Sequence, residues 1–151
     1  MNSTDTKIVV FLQNAWSEFY AGHIWPRPSW LRALTRSVTG KRLMKMIDNL
    51  DLCEETTPEV APTASGKLPP DEAHIRAVLA RRQPMLVVAC GKQAEEALSR
   101  IWTGPLLVVP HPAARNLTNA LYLEARALIE SGFAERAALR QGRGKVERVQ
   151  L

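Results

Sequence analysis

Apolar and polar positions change their period several times along the chain, and each change marks an element. Lys7 to Leu12 is a β-rich apolar run centred on Val9, Val10 and Phe11, which predicts a strand buried on both faces. Gln13 to Pro28 mixes amides, aromatics, Gly22 and two prolines and predicts a structured loop. From Ser29 as N-cap, Trp30, Leu31, Leu34 and Val38 recur at helical spacing until Gly40, and a second short helix is expected around Lys41 to Ile47. Leu50 and Leu52 alternate with Asp51 as a short strand. Glu54 to Pro70, rich in Thr, Pro, Glu and Ala, reads as a mobile loop.

The second half repeats a strand–helix alternation. Asp71 caps a helix whose apolar face is Ala73, Ile75, Val78 and Leu79, and Pro84 prevents its continuation. Met85 to Ala89 is a strand, Gly91 a turn, Lys92 to Trp102 a helix and Leu106 to Val109 a further strand. Thr118 or Asn119 then caps a helix that turns Leu121, Ala125, Leu128 and Ile129 to the core before Gly132. This alternation predicts the α/β class, a three-layer α/β/α arrangement on a mainly parallel central sheet. The domain is expected over 1–138, and 139–151, rich in Arg, Gly and Gln, as a basic disordered tail.

Composition adds a partner class. The chain has 151 residues, 46% of them hydrophobic, which suits one domain with a self-sufficient core. An excess of 20 Lys and Arg over 15 Asp and Glu gives a formal charge of +5 and favours a polyanionic partner. The charge is segregated: Asp48, Asp51, Glu54, Glu55 and Glu59 meet no cation between Lys45 and Lys67, whereas Arg136 to Arg148 is predominantly basic. Two cysteines are too few for a four-thiolate cluster or a disulfide framework, and no apolar span of ~18 residues or secretory signal is visible. The expectation is a monomeric cytoplasmic protein with free thiols, no metal, no cofactor and no membrane contact.

The candidate chemistry lies at the end of the fourth apolar run. His111-Pro112-Ala113-Ala114-Arg115-Asn116 puts an imidazole, a proline-stiffened backbone and a guanidinium at a strand's carboxyl end, where open α/β sheets bind ligands. Gly91-Lys92 lacks the spacing and the Ser or Thr of a phosphate loop, which argues against an ordinary nucleotide-binding α/β protein.

These residues resemble the uracil-DNA glycosylase superfamily, most closely its single-strand-selective monofunctional branch. His111 to Asn116 is similar to the family's His-Pro-Ser-Pro-Arg-Asn loop, with Ala113 and Ala114 in place of Ser and Pro. Val87 to Glu95 resembles the preceding strand and helix. Phe11-Leu12-Gln13-Asn14-Ala15 stands where the family has a Gly-x-Asn-Pro-Gly turn, without its Gly and Pro, and Asn49 falls where such enzymes place a base-reading asparagine. The resemblance spans roughly Ile8 to Gly132.

It implies a uracil-DNA glycosylase-like fold and hydrolysis of the N-glycosidic bond of an altered pyrimidine, uracil or a modified uracil or cytosine, in single-stranded DNA or in a duplex with the base flipped out. Asn14 would orient the attacking water and His111 would donate to the base oxygen that becomes anionic. Asn49, Trp25 and Gln13 would hold the base, Trp25 by stacking, with Phe19 or Tyr20 as alternatives. Arg115 and Asn116 would press on the DNA, and Lys41, Arg42 and Lys45 would add phosphate contacts. Trp16 stands where it would narrow the pocket. Two further readings stay open: a DNA-base hypermodification enzyme of the same fold, and a catalytically inactive DNA- or protein-binding member.

Overall fold

The computed structural model describes residues 8–15, 22–61, 67–138 and 146–149. Five parallel strands form one open sheet: β1 (Ile8–Leu12), β2 (Cys53–Glu55), β3 (Leu86–Cys90), β4 (Leu106–Val109) and β5 (Val146–Arg148), in the spatial order β2-β1-β3-β4-β5. The helices are α1 (Arg27–Arg36), α2 (Val38–Leu43), α3 (Glu72–Arg82), α4 (Lys92–Ile101) and α5 (Asn119–Ala138).

Strand alternation builds two cores. Ile8, Val10 and Leu12 of β1 pack with Trp30 and Leu34 of α1, Leu43 of α2, and Tyr122, Ala125 and Ile129 of α5. Val9 and Phe11 pack on the opposite face with Ile75, Val78 and Leu79 of α3 and Ala94, Ala97 and Leu98 of α4. Helices on both faces explain why the strands read as unbroken apolar runs. No helix among the described residues is long and apolar enough to cross a membrane.

Several local expectations are corrected. α1 starts two residues before Ser29: Pro26 is its N-cap and Pro28 occupies its first turn, where a proline's fixed φ suits a helix and its missing N–H costs nothing. The second helix is Val38–Leu43, because the Ser37 hydroxyl accepts from Gly40 N at 2.9 Å and donates to Leu34 O at 2.7 Å, restarting the chain there. Gly40 therefore lies inside α2, where any side chain would collide with the Leu34 carbonyl. Leu50–Leu52 is a 3-10 turn, and the strand begins only at Cys53.

The stretch from Glu54 onward is not a free loop as far as Ala61. Glu54 and Glu55 belong to β2, Ile24 bridges Glu59, and Val60 and Ala61 are buried. Side chains close the outer edge of β2: Arg27 donates to the Asp51 and Cys53 carbonyls, and His74 Nε2 meets the Glu55 carbonyl at 3.0 Å. α5 continues through Gly132 to Ala138. The basic segment expected to be disordered supplies β5, and Val149 is buried beside it; 139–145 lie outside the described residues.

Candidate active site

In this strand order the chain runs outward from β1 to β2 and then returns to the other side of β1 for β3. The loops leaving the carboxyl ends of β1 and β3 consequently diverge and open a crevice, the usual ligand position in open α/β sheets. Four segments meet there: Gln13–Ala15 after β1, the last residue of β2, Gly91 after β3, and the loop from Pro110 to Ala114 after β4.

Asn14 is buried and fixed at both ends of its amide: Nδ2 donates to Ala15 O at 3.0 Å and Oδ1 accepts from Leu68 N at 3.1 Å. The backbone around it runs beside the exit of β2, with Gln13 O accepting from Thr56 N and Ala15 O from Ala61 N. The missing Gly and Pro are thus replaced by pairing with the neighbouring segment, and no residue from Gln13 to Ala15 needs a positive φ.

Glu55 is the residue that sequence reasoning missed. Successive β2 side chains leave the strand on opposite faces. Glu54 meets Arg27, Arg81 and Arg82 at 3.1, 3.4 and 2.7 Å, while Glu55 lines the crevice beside Trp25 and Trp30. The Glu55 side chain is buried, and its Oε2 has no hydrogen-bond partner among the described residues. Burial first, and then the negative charge of Glu54, push its carboxyl up to about 8; a backbone hydrogen bond from Ala15 and the Arg27 charge oppose that rise. The available signal was the apolar Leu50 to Cys53 approach running directly into two carboxylates, a pattern that puts one of them on each face if the strand continues.

His111 follows β4 after one residue, Pro110. Ala114 N closes a turn on its carbonyl at 2.8 Å, and the buried Tyr122 hydroxyl of α5 donates to Pro112 O at 3.0 Å. Ala113 N lies 3.1 Å from Nδ1, which must accept, so the neutral ring carries its proton on Nε2. Burial, with a smaller contribution from the Lys67 charge, lowers the ring to about 4, and at neutral pH it is an uncharged N–H donor.

The cavity bounded by Gln13, Asn14, Trp25, Trp30, Glu55 and His111 has a volume of about 130 Å³. That is well below the ~300–1,000 Å³ of sites for drug-sized ligands and suits a single planar ring. Four of the expected site residues, Gln13, Asn14, Trp25 and His111, therefore come together.

Asn49 does not join them. Its Oδ1 accepts from Asp51 N at 3.0 Å and caps the 3-10 turn, a local task that accounts for an asparagine at that position. Arg115 and Asn116 lie outside the cavity as well, in a cleft of about 360 Å³ shared with Arg42 and Lys45. Asn116 has φ +65°, a left-handed conformation that asparagine tolerates better than most residues. A second cleft of about 500 Å³, carrying Lys67 and Lys92, is lined by Pro110 and His111 of the same loop, and Ala114 borders both. The His111 loop is thus a ridge shared by two cation-bearing clefts. Trp16, Phe19 and Tyr20 lie outside the described residues.

Cys53 and Cys90 are free and buried; burial raises both thiols, Cys90 to about 12, so neither is a reactive nucleophile. Among the described residues no group of three or more His, Cys, Asp or Glu side chains is placed to hold a metal ion. Comparison with protein-family models, with curated proteins and with solved structures finds no match to this chain.

Proposed function

We propose that this chain is a monofunctional DNA glycosylase of uracil-DNA glycosylase type, hydrolysing the N-glycosidic bond of an altered pyrimidine turned out of a DNA strand. The observation that carries the reading is one ring-sized cavity that unites the Asn14 amide with a neutral, Nε2-protonated His111 from opposite ends of the sequence. Breaking an N-glycosidic bond builds negative charge on the departing base. A rigid N–H donor at the base oxygen stabilises that charge most in the transition state, where it is typically worth ~3 kcal/mol.

In this reading Trp25 walls the ring, Gln13 and Asn14 border its sugar side, and Asn14 orients water toward C1′. The two clefts along the His111 ridge take the flanking phosphates: Arg42, Lys45 and Arg115 in one, Lys67 and Lys92 in the other. Arg115, exposed on the ridge, fills the place vacated by the flipped nucleotide. The protein acts alone on DNA and needs no cofactor for this chemistry.

The test is base release from oligonucleotides carrying uracil, hydroxymethyluracil or other altered pyrimidines. The expected result is release that leaves an abasic site without strand cleavage, and that falls ~100-fold or more in His111→Ala while oligonucleotide binding is retained. Tight binding without release from any of these strands would overturn hydrolysis in favour of a base-modifying or binding role.

A further inference from the structure

We propose that Glu55 takes the proton from the attacking water in this cavity, an inference that rests on the hydrolytic reading above. Glu55 as a residue is 8% exposed, and its Oε2 is buried and meets no protein donor among the described residues. A polar atom in that state is costly unless something the structure binds satisfies it, and such groups gather where chemistry is done.

The surroundings separate Glu55 from a structural carboxylate. The cations packed against this end of β2 are Arg27 from α1 and Arg81 and Arg82 from α3, and all three guanidiniums bond Glu54. His74 of α3 spends its Nε2 on the Glu55 backbone carbonyl, not on the side chain. His111, across the cavity, is an uncharged donor. Among the described residues Glu55 is thus left without an ion-pair partner, although three arginines stand at the neighbouring carboxylate.

Its link to Asn14 is direct. The Ala15 N–H bonds the Glu55 carboxyl, and the Ala15 carbonyl accepts from Asn14 Nδ2. The backbone of one residue, Ala15, therefore ties the proton acceptor to the amide that orients the water. An amide can position water but cannot deprotonate it; a carboxylate whose affinity for protons is raised toward neutrality can.

The step balances without an outside reagent. A water proton passes to the Glu55 carboxylate, the water oxygen bonds C1′, and the C1′–N bond breaks with its electron pair leaving on the base, whose oxygen is held by His111 Nε2–H. The base then takes up a proton, and Glu55 returns its own to solvent as the products leave.

The experiment is single-turnover base release across pH 5.5–9.5 for wild type, Glu55→Gln and His111→Ala, with oligonucleotide affinity measured alongside. Wild type is expected to accelerate about tenfold per pH unit and to level off near pH 8. Glu55→Gln, isosteric with the protonated acid, is expected to bind normally, lose ~10²–10⁴-fold in rate and lose the rising limb. Glu55→Ala should regain release on addition of formate or azide. Wild-type release with a Glu55→Gln variant of equal rate or unchanged pH profile overturns the role of Glu55 and leaves the glycosylase reading standing. A wild type that releases no altered pyrimidine at any pH overturns both.

Discussion

Gly91 and His111 stand against each other at the carboxyl ends of β3 and β4: a Cβ built on Gly91 would lie 3.3 Å from the His111 Cβ. Gly91 also has φ +92°, outside the range that L side chains adopt comfortably. Gly91→Ala therefore combines backbone strain with pressure on the imidazole. The expected outcome is a loss of ~1–3 kcal/mol in chemical denaturation and a further drop in base release beyond what the lost stability explains.

The loop is anchored from behind by Tyr122, whose hydroxyl donates to Pro112 O. Tyr122→Phe keeps the ring, and with it the contact of the Lys45 ammonium 4.9 Å from the ring centroid, while removing one buried bond. It should cost ~1 kcal/mol of stability and lower the rate of base release with little change in DNA affinity, as measured by denaturation and single-turnover kinetics.

Glu55 and His111 give stability a definite pH dependence. The Glu55 carboxyl rises from 4.5 to about 8 on folding, so the folded state holds a proton that the unfolded state has lost, and stability falls as pH rises between those values. His111 drops from 6.5 to about 4, so its contribution is present above 6.5 and is lost as pH falls toward 4. Of these two groups, Glu55 is the one whose relative protonation changes between pH 6.5 and 8. Wild-type stability is expected to decline there by on the order of 1 kcal/mol per pH unit, and Glu55→Gln should flatten the decline in urea titrations at several pH values.

Removing the cations beside the ridge separates attraction from chemistry. Arg42→Gln or Lys45→Gln should each weaken binding of a single-stranded oligonucleotide and reduce the slope of log affinity against log salt by ~0.7, leaving the saturated rate of release nearly unchanged.

Asn49→Ala tests the position the resemblance implied for base reading. Its observed bond to Asp51 N predicts a stability loss of ~1 kcal/mol from the missing cap and no change in which pyrimidine is released.

The sequence made the layers legible because buried parallel strands and proline or glycine stops are local signals: β4 appears at its expected limits, and the Asp71 cap is seen as a bond to His74 N at 3.1 Å. Gln13, Asn14 and Trp25 are reached only through the resemblance, and His111 also through its place at a strand's carboxyl end. Glu55 is reached by neither. Its environment is made by Trp25, Trp30 and Ala15, and in a Glu–Glu pair nothing local distinguishes the carboxylate that meets three arginines from the one that meets none. Asn49 misled for the converse reason, since a residue type suited to reading a base is equally suited to closing a short turn. The segment 146–149 has too few apolar residues to announce a strand; it becomes one only because β4 offers it an unpaired edge.

That last pairing has a practical consequence. A protein shortened to end at Ala138 would leave the amides and carbonyls along Leu106 to Val108 open to any extended peptide that drifts past, including the same strand of a neighbouring molecule. What looks in the amino-acid string like a dispensable cationic appendage replaces that apolar edge with a short one carrying Glu147 and Arg148, a poorer template for further pairing.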